Sequence, residues 1–316
     1  MLRFQPGRLT LLLFWGAVAA LPLLHVAGIA IASSRNIIFW DEFDTALDLV
    51  LQIDAGASWR EVLQRFFAIN NEHRMVTSRL MYAASYWLTG TINFHVIGAI
   101  GNLFLVGLGA TLVLAVTGWE RRLRMAVVFS FLMYQLEHFE SFVWSGAAID
   151  HFQVVMHALL AVVMLSRRTI AGCCAAGAFG LLATFTLAHG NVVWPLGALL
   201  LAHQRRWREL AGWCAFSVAA VATFLHGFEL NPAHQVVELS AANFLRLARY
   251  WLALLGAPLT LGQAAYAPLP GALLLVALGF LARRGFATRQ PVAFFGTLFA
   301  IGALTLIALG RAELAG

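Results

Sequence analysis

Trp40-Asp41-Glu42-Phe43-Asp44 sets three carboxylates side by side at the end of a long apolar run. Burial and like-charge neighbours both disfavour an ionised carboxyl, and a carboxylate tuned in this way takes a proton from a hydroxyl. Asp41, Glu42 and Asp44 are therefore candidate general bases. The same residues also suit a plainer role, since Asp41 is a good N-cap and Glu42 and Asp44 favour a helix N-terminus. A second constellation, Asn70-Asn71-Glu72-His73-Arg74, brings an acid, an imidazole and a guanidinium to one turn. Arginine recognises phosphate through its fork of donors, and histidine shuttles a proton or binds a metal. Glu72, His73 and Arg74 are candidate substrate-binding residues on this ground, against the simpler reading of a solvated loop with one ion pair.

Other polar residues stand inside or beside apolar runs. Tyr134, Glu137, His138 and Glu140 close one run, and Glu137 falls about a turn inside it. Asp150, Gln153 and His157 recur at i, i+3 and i+7, a polar stripe along one helix face. Intramembrane acids are costly and face a partner or a wet cavity, so Glu137, Asp150 and His157 are expected around a shared water-filled space. His189 and Asn191 sit in a Gly/Asn turn followed by Trp194-Pro195. Arg246 and Arg249 share a helix face, next to Tyr250 and Trp251, and serve either as headgroup anchors or as a grip on a lipid phosphate. There is no phosphate loop, dinucleotide fingerprint, zinc motif or Ser-His-Asp arrangement.

The elements that must position these residues are set by composition. Of 316 residues 61% are hydrophobic and 11% charged, with a mean hydropathy of +0.79. A soluble domain cannot bury that much apolar surface. The apolar runs lack period-2 alternation, which leaves helices rather than a barrel as the way to pair every backbone polar group in lipid. The sequence predicts an all-α, polytopic transmembrane helix bundle, a single membrane domain over 1–316. About nine spans are expected, near 9–31, 92–117, 124–141, 151–166, 169–188, 190–203, 209–227, 268–282 and 291–310. The first is read as a retained helix, because its apolar core is too long for a signal peptide. Cys173, Cys174 and Cys214 lie inside apolar runs and form no disulfide framework.

The net charge of +6 comes from arginine, because the chain contains no lysine. If neither 76–90 nor 243–262 crosses the membrane, thirteen of the 21 arginines fall on one side in short clusters: Arg3/Arg8, Arg121/Arg122/Arg124, Arg167/Arg168, Arg205/Arg206/Arg208 and Arg283/Arg284/Arg289. The positive-inside rule places that side, and the N-terminus, in the cytoplasm. All acids but Glu120 and Glu209 then lie on or toward the outside. Short arginine clusters between apolar runs are a topology signal and give no reason to expect nucleic acid as a partner.

The first outer region, 32–90, is patterned. Phe43, Ala46, Leu47, Val50 and Leu51 share a face over 43–53. After Gly56, Ser58 and Glu61 form a capping box, and Trp59, Val62, Leu63, Phe66 and Phe67 follow at amphipathic spacing. These are expected to be interfacial juxtamembrane helices; a small packed outer subdomain is the alternative.

This order of parts is one span, a Trp-Asp-Glu-x-Asp outer loop, interfacial helices, an Asn-Glu-His-Arg turn, a short apolar helix and then many spans. It resembles the GT-C superfamily of polyprenyl-phosphate-sugar-dependent membrane glycosyltransferases, which includes protein O-mannosyltransferases and aminoarabinose transferases. It also resembles a set of bacterial membrane proteins that carry Asp-Glu-x-Asp-Thr, Asn-Glu-His-Arg and a later Asn-Gly…Trp-Pro turn. Here Asp41-Glu42-Phe43-Asp44-Thr45, Asn71-Glu72-His73-Arg74 and Gly190-Asn191…Trp194-Pro195 match, the last with Gly and Asn reversed. The Pro-Pro-Gly element of many mannosyltransferases is missing. The resemblance implies transfer of a sugar from a polyprenyl-phosphate donor at the periplasmic face of the bacterial inner membrane, with membrane lipid as the other partner. It implies Asp41 or Glu42 as the catalytic acid-base and Glu72-His73-Arg74 at the lipid phosphate. The cofactor is left unknown and a divalent metal open. The look-alikes continue past a pair like Gly310-Arg311, so the chain is expected to be a fragment. Two other classes compete: a transporter of a polar or anionic solute, and a non-catalytic envelope scaffold.

Overall fold

The computed structural model describes residues 6–229, 240–260 and 263–311; Arg3 and the last two positions of the 243–262 run lie outside them. Among the described residues all regular elements are helical, as expected. Five helices are long and apolar enough to cross a membrane: Leu9–Ser33, Phe94–Ala115, Ser145–Ser166, Trp207–Leu225 and Pro291–Gly310. They turn large side chains outward, among them Leu13, Leu24, Leu103 and Val218. A lipid-facing surface needs such side chains, and a water-facing one does not tolerate them in this number. The chain is a multi-pass membrane protein.

Several expected spans are drawn differently. The third is not one rod: a helix over Trp119–Met133 stops at Tyr134, and a 3-10 turn at Leu136–His138 leads into a short helix, Phe139–Val143. The fourth begins at Ser145 rather than 151 and has 22 residues, so it is a full-length span rather than a short one. Ile170–Thr184 and Pro268–Arg283 are shorter apolar helices.

By internal packing the chain divides into two compact units, 1–70 with 75–156, and 71–74 with 157–316. The first unit holds α1 (Pro6–Ser33), a π turn (Phe43–Leu47), α2 (Asp48–Asp54), α3 (Trp59–Phe66), α4 (Val76–Thr89), α5 (Phe94–Ala115), α6 (Trp119–Met133), α7 (Phe139–Val143) and the start of α8 (Ser145–Ser166). The capping box of α3 is present: Ser58 Oγ accepts from Glu61 N–H, and the Glu61 carboxylate accepts from Ser58 N–H at 2.8 Å. Leu49, Phe66 and Ala83 bury α2 and α3 against α4, while Trp59 and Leu63 stay exposed on the opposite face of α3. Ala46, Tyr82, Phe94, Ile97 and Ile149 make the core beneath the π turn. There α5 meets α8 closely, since a Cβ on Gly101 would come within 2.6 Å of the Ala148 carbonyl carbon.

The second unit holds the 71–74 turn, the rest of α8, α9 (Ile170–Thr184), a 3-10 turn (Ala188–Val192), α10 (Val193–His203), α11 (Trp207–Leu225), α12 (Ala241–Gly256), α13 (Pro268–Arg283), α14 (Phe286–Arg289) and α15 (Pro291–Gly310). Glycines let α12 and α13 touch: a Cβ on Gly271 would sit 2.0 Å from the Leu252 carbonyl oxygen. Small residues at such crossings bring backbones close where burial from water gives no drive.

Candidate functional site

Glu42 is the best-anchored acid in the chain. It is 1% exposed and accepts from four donors. Phe39 N–H reaches Oε2 at 2.9 Å. Oε1 takes Gly146 N–H at 2.8 Å, Tyr82 Oη–H at 3.3 Å and Ser145 Oγ–H. Gly146 leaves room for this approach: a Cβ there would lie 3.3 Å from Oε1 and 3.0 Å from Trp144 Nε1, tight enough that the neighbouring side chains would have to shift. Burial pushes the Glu42 carboxyl above the usual carboxylate range, against the pull of its four hydrogen bonds.

Asp150 lies in the second turn of α8, 3% exposed, and accepts from Ser78 Oγ–H. Tyr82, one helical turn beyond Ser78 on α4, is fully buried. Burial, followed by the charges of Glu42, Asp150 and Asp41, pushes its hydroxyl well above the ordinary tyrosine value, so it remains a donor. Three carboxyl groups from two distant parts of the first unit are thus gathered round one phenol. Asp41 is the half-exposed member.

The backbone on either side of the acid pair is irregular. Trp40 has φ +49°, a left-handed conformation that is rare for a bulky residue and costs on the order of 1–3 kcal/mol. Phe43–Leu47 forms a π turn, closed by Asp48 N–H to the Phe43 carbonyl. Glu42 occupies the N-cap position of the π turn without a side-chain capping bond, and the Asp41 carbonyl oxygen accepts from Thr45 N–H and Oγ–H at 2.9 and 2.7 Å. Asp44 is exposed, and its carbonyl accepts from Arg65, which also pairs with Asp48 at 2.5 Å.

In the second unit, the polar turn is built into the packing. Arg74 is 7% exposed and donates from Nε to the Phe224 carbonyl at 2.7 Å and from Nη2 to the His226 carbonyl. It thereby closes the C-terminal end of α11, where carbonyls have no helical partner. Two arms of its donor fork are thereby engaged with backbone carbonyls. His73 Nδ1 accepts from Ala188 N–H at 3.1 Å, which fixes the neutral ring with its proton on Nε2. Glu72 is half-buried beside it. The Gly190-Asn191…Trp194 turn is likewise structural. Asn191 Nδ2 donates to Ala188 O at 2.9 Å, and Trp194 Nε1 donates to Thr184 Oγ1 at 2.8 Å. A Cβ on Gly190 would lie 1.9 Å from the Ala183 carbonyl oxygen. His189 is half-buried in the same turn.

Glu137 departs from expectation: it stands exposed on the 3-10 turn, while Asp150, Gln153 and His157 are all buried along α8. The His157 ring packs 6.1 Å from Phe179. Arg246 and Arg249 are exposed on α12, and Arg246 Nη2 donates to Asn243 Oδ1 at 3.0 Å. Among the described residues no group of three or more His, Cys, Asp or Glu is arranged to hold a metal ion.

The sequence reading missed Ser78, Tyr82, Ser145 and Gly146, which make the acid cluster possible. Ser78 and Tyr82 stand at i, i+4 on α4, a shared face visible in the sequence. It missed Arg79 as well, fully buried on α4, whose Nη1 donates to the carbonyls of Phe66 and Ala68 just past α3. Comparison with protein families, with curated proteins and with solved structures finds no match to this chain.

Proposed function

We propose that the chain is a membrane glycosyltransferase of GT-C type, moving a sugar from a polyprenyl-phosphate donor to an acceptor at the outer membrane face, with about nine spans of the inner membrane and the N-terminus in the cytoplasm. The observation that carries this reading is the half-exposed Asp41, held between a strained tryptophan and a π turn beside two buried carboxyl groups. Irregular backbone of both kinds concentrates at functional sites. Asp41 takes the proton of an acceptor hydroxyl, whose oxygen bonds to the anomeric carbon. The bond from that carbon to the phosphate oxygen breaks, and polyprenyl phosphate leaves with the electron pair. Glu42, 1% exposed and saturated with donors, is a positioning residue for Asp41 rather than the base.

The test uses the full chain in lipid nanodiscs with radiolabelled polyprenyl-phosphate sugars. Asp41→Asn should lower turnover by roughly 10²–10⁴ while donor binding persists. Full activity in Asp41→Asn removes the assignment. A second reading, a transporter, is favoured by one observation, the buried Asp150–Ser78 pair inside a candidate span. Solute uptake into proteoliposomes without any sugar transfer would decide for it.

A further inference from the structure

Phe39, Trp40 and Trp144 form one aromatic cluster at the acid pair. Phe39 and Trp40 are stacked, with centroids 5.5 Å apart and planes 15° apart. Trp144 stands edge-on to both, at 5.5 Å from Phe39 and 5.8 Å from Trp40. Trp40 is nevertheless 69% exposed, so the outer part of its indole is open.

The cluster is braced from below by Glu42. Its carboxylate accepts from Phe39 N–H on one side and from Ser145 and Gly146, next to Trp144, on the other. One buried side chain therefore fixes both chain segments that supply the rings. The left-handed backbone at Trp40 presents the ring directly before Asp41. A tryptophan serving only as an interfacial anchor needs neither the strained backbone nor the brace, because any rotamer at that depth partitions to the headgroups.

We propose that Trp40, backed by Phe39 and Trp144, is a sugar-stacking platform that takes the C–H face of a pyranose ring while Asp41 meets the hydroxyl rim. The chemistry matches on both counts. A pyranose is flat and apolar on its axial C–H face and polar at its edge, and an indole face beside a carboxylate offers the complementary pattern. The platform deepens the glycosyltransferase reading and rests on it for the identity of the sugar as substrate.

Saturation-transfer NMR on the full chain in nanodiscs tests it, with methyl glucopyranoside, mannopyranoside, galactopyranoside and N-acetylglucosaminide as probes. At least one should receive saturation on its axial C–H protons. Trp40→Leu should weaken the effect about tenfold, and Trp40→Phe should retain most of it. Trp40→Gly, which adopts positive φ without strain and so folds, should lose it as Leu does. Contact that survives in Trp40→Leu and Trp40→Gly, or no contact in the wild type with any of the four, overturns the platform. So does an unchanged sugar contact combined with a shift in bilayer depth of a labelled residue 43, which marks Trp40 as an anchor. Glycoside contact at Trp40 in a protein that transfers no sugar refutes the transferase reading and leaves the platform standing.

Discussion

Replacing Glu42 separates the two acids of the pair by what each is for. Glu42 Oε1 holds Ser145, Gly146 and Tyr82, and Oε2 holds Phe39. A glutamine keeps one carbonyl oxygen for the first three donors but turns an amide N–H toward Phe39 N–H. One charge-assisted hydrogen bond is lost, and two donors are left facing each other. A hydrogen bond to a charged group contributes about 1.5–3 kcal/mol, so Glu42→Gln should cost about 2 kcal/mol. Glu42→Ala strands the Phe39 and Gly146 amides and the Tyr82 hydroxyl in a buried site at ~1–3 kcal/mol each, incompletely additive, so about 4 kcal/mol is expected. At roughly 2–4 °C per kcal/mol the melting temperature should fall by about 6 °C for Gln and by twice that for Ala. Asp41→Asn, on a half-exposed side chain, should melt with the wild type. Thermal melts in detergent, read by the monodisperse fraction remaining after heating, give all three numbers. If Glu42→Ala melts within about 1 °C of wild type, the four-donor brace is not holding the loop, and the assignment of Glu42 as a positioning residue is wrong.

Glu42 also sets a pH dependence. Its folded pKa is raised by burial, so its contribution to stability is fully present below about 4.5 and is lost as pH rises through the folded value; melting temperatures taken from pH 4 upward should show this decline in the wild type and lose it in Glu42→Gln. Arg74→Ala should lower stability by about 3 kcal/mol through the uncapped end of α11, with donor KM per folded protein unchanged, and Arg74→Lys should rescue little, since one ammonium cannot span both carbonyls. A rise in KM at wild-type melting temperature would return Arg74 to the phosphate. Gly190→Ala drives a methyl group onto the Ala183 carbonyl and should reduce the folded yield sharply, by 3 kcal/mol or more on the scale of ~1–3 kcal/mol for ordinary overpacking; a variant that purifies and melts normally refutes the close approach. A cysteine at position 119 in a cysteine-free background should label only from the cytoplasmic side; labelling from outside overturns the arginine-based orientation.

Much of this protein was legible in its residues taken in order. Composition and run length required helices in lipid, because a backbone without water must satisfy itself within its own segment. Ser58 and Glu61 announced the start of α3 by a purely local exchange of hydrogen bonds. The acids at 41, 42 and 44 stood out as unusual, and two of the three lie at the carboxylate cluster. What local pattern does not contain is direction. Asp41 and Glu42 are neighbours in sequence, yet one is half-exposed and the other 1% exposed. Their difference is decided by donors more than a hundred residues away, Ser145 and Gly146, which only packing brings to Glu42. Arg74 reads as a cation in a polar turn, and only packing brings it the carbonyls at the end of α11 that need a donor. The Asp150 stripe looked like the wall of a wet cavity, and Ser78 from another helix made its first acid part of a buried pair. Helix formation is settled within a few turns of chain. The fate of a buried polar group depends on which partner the rest of the chain delivers, since burial without a partner costs more than most local preferences can supply.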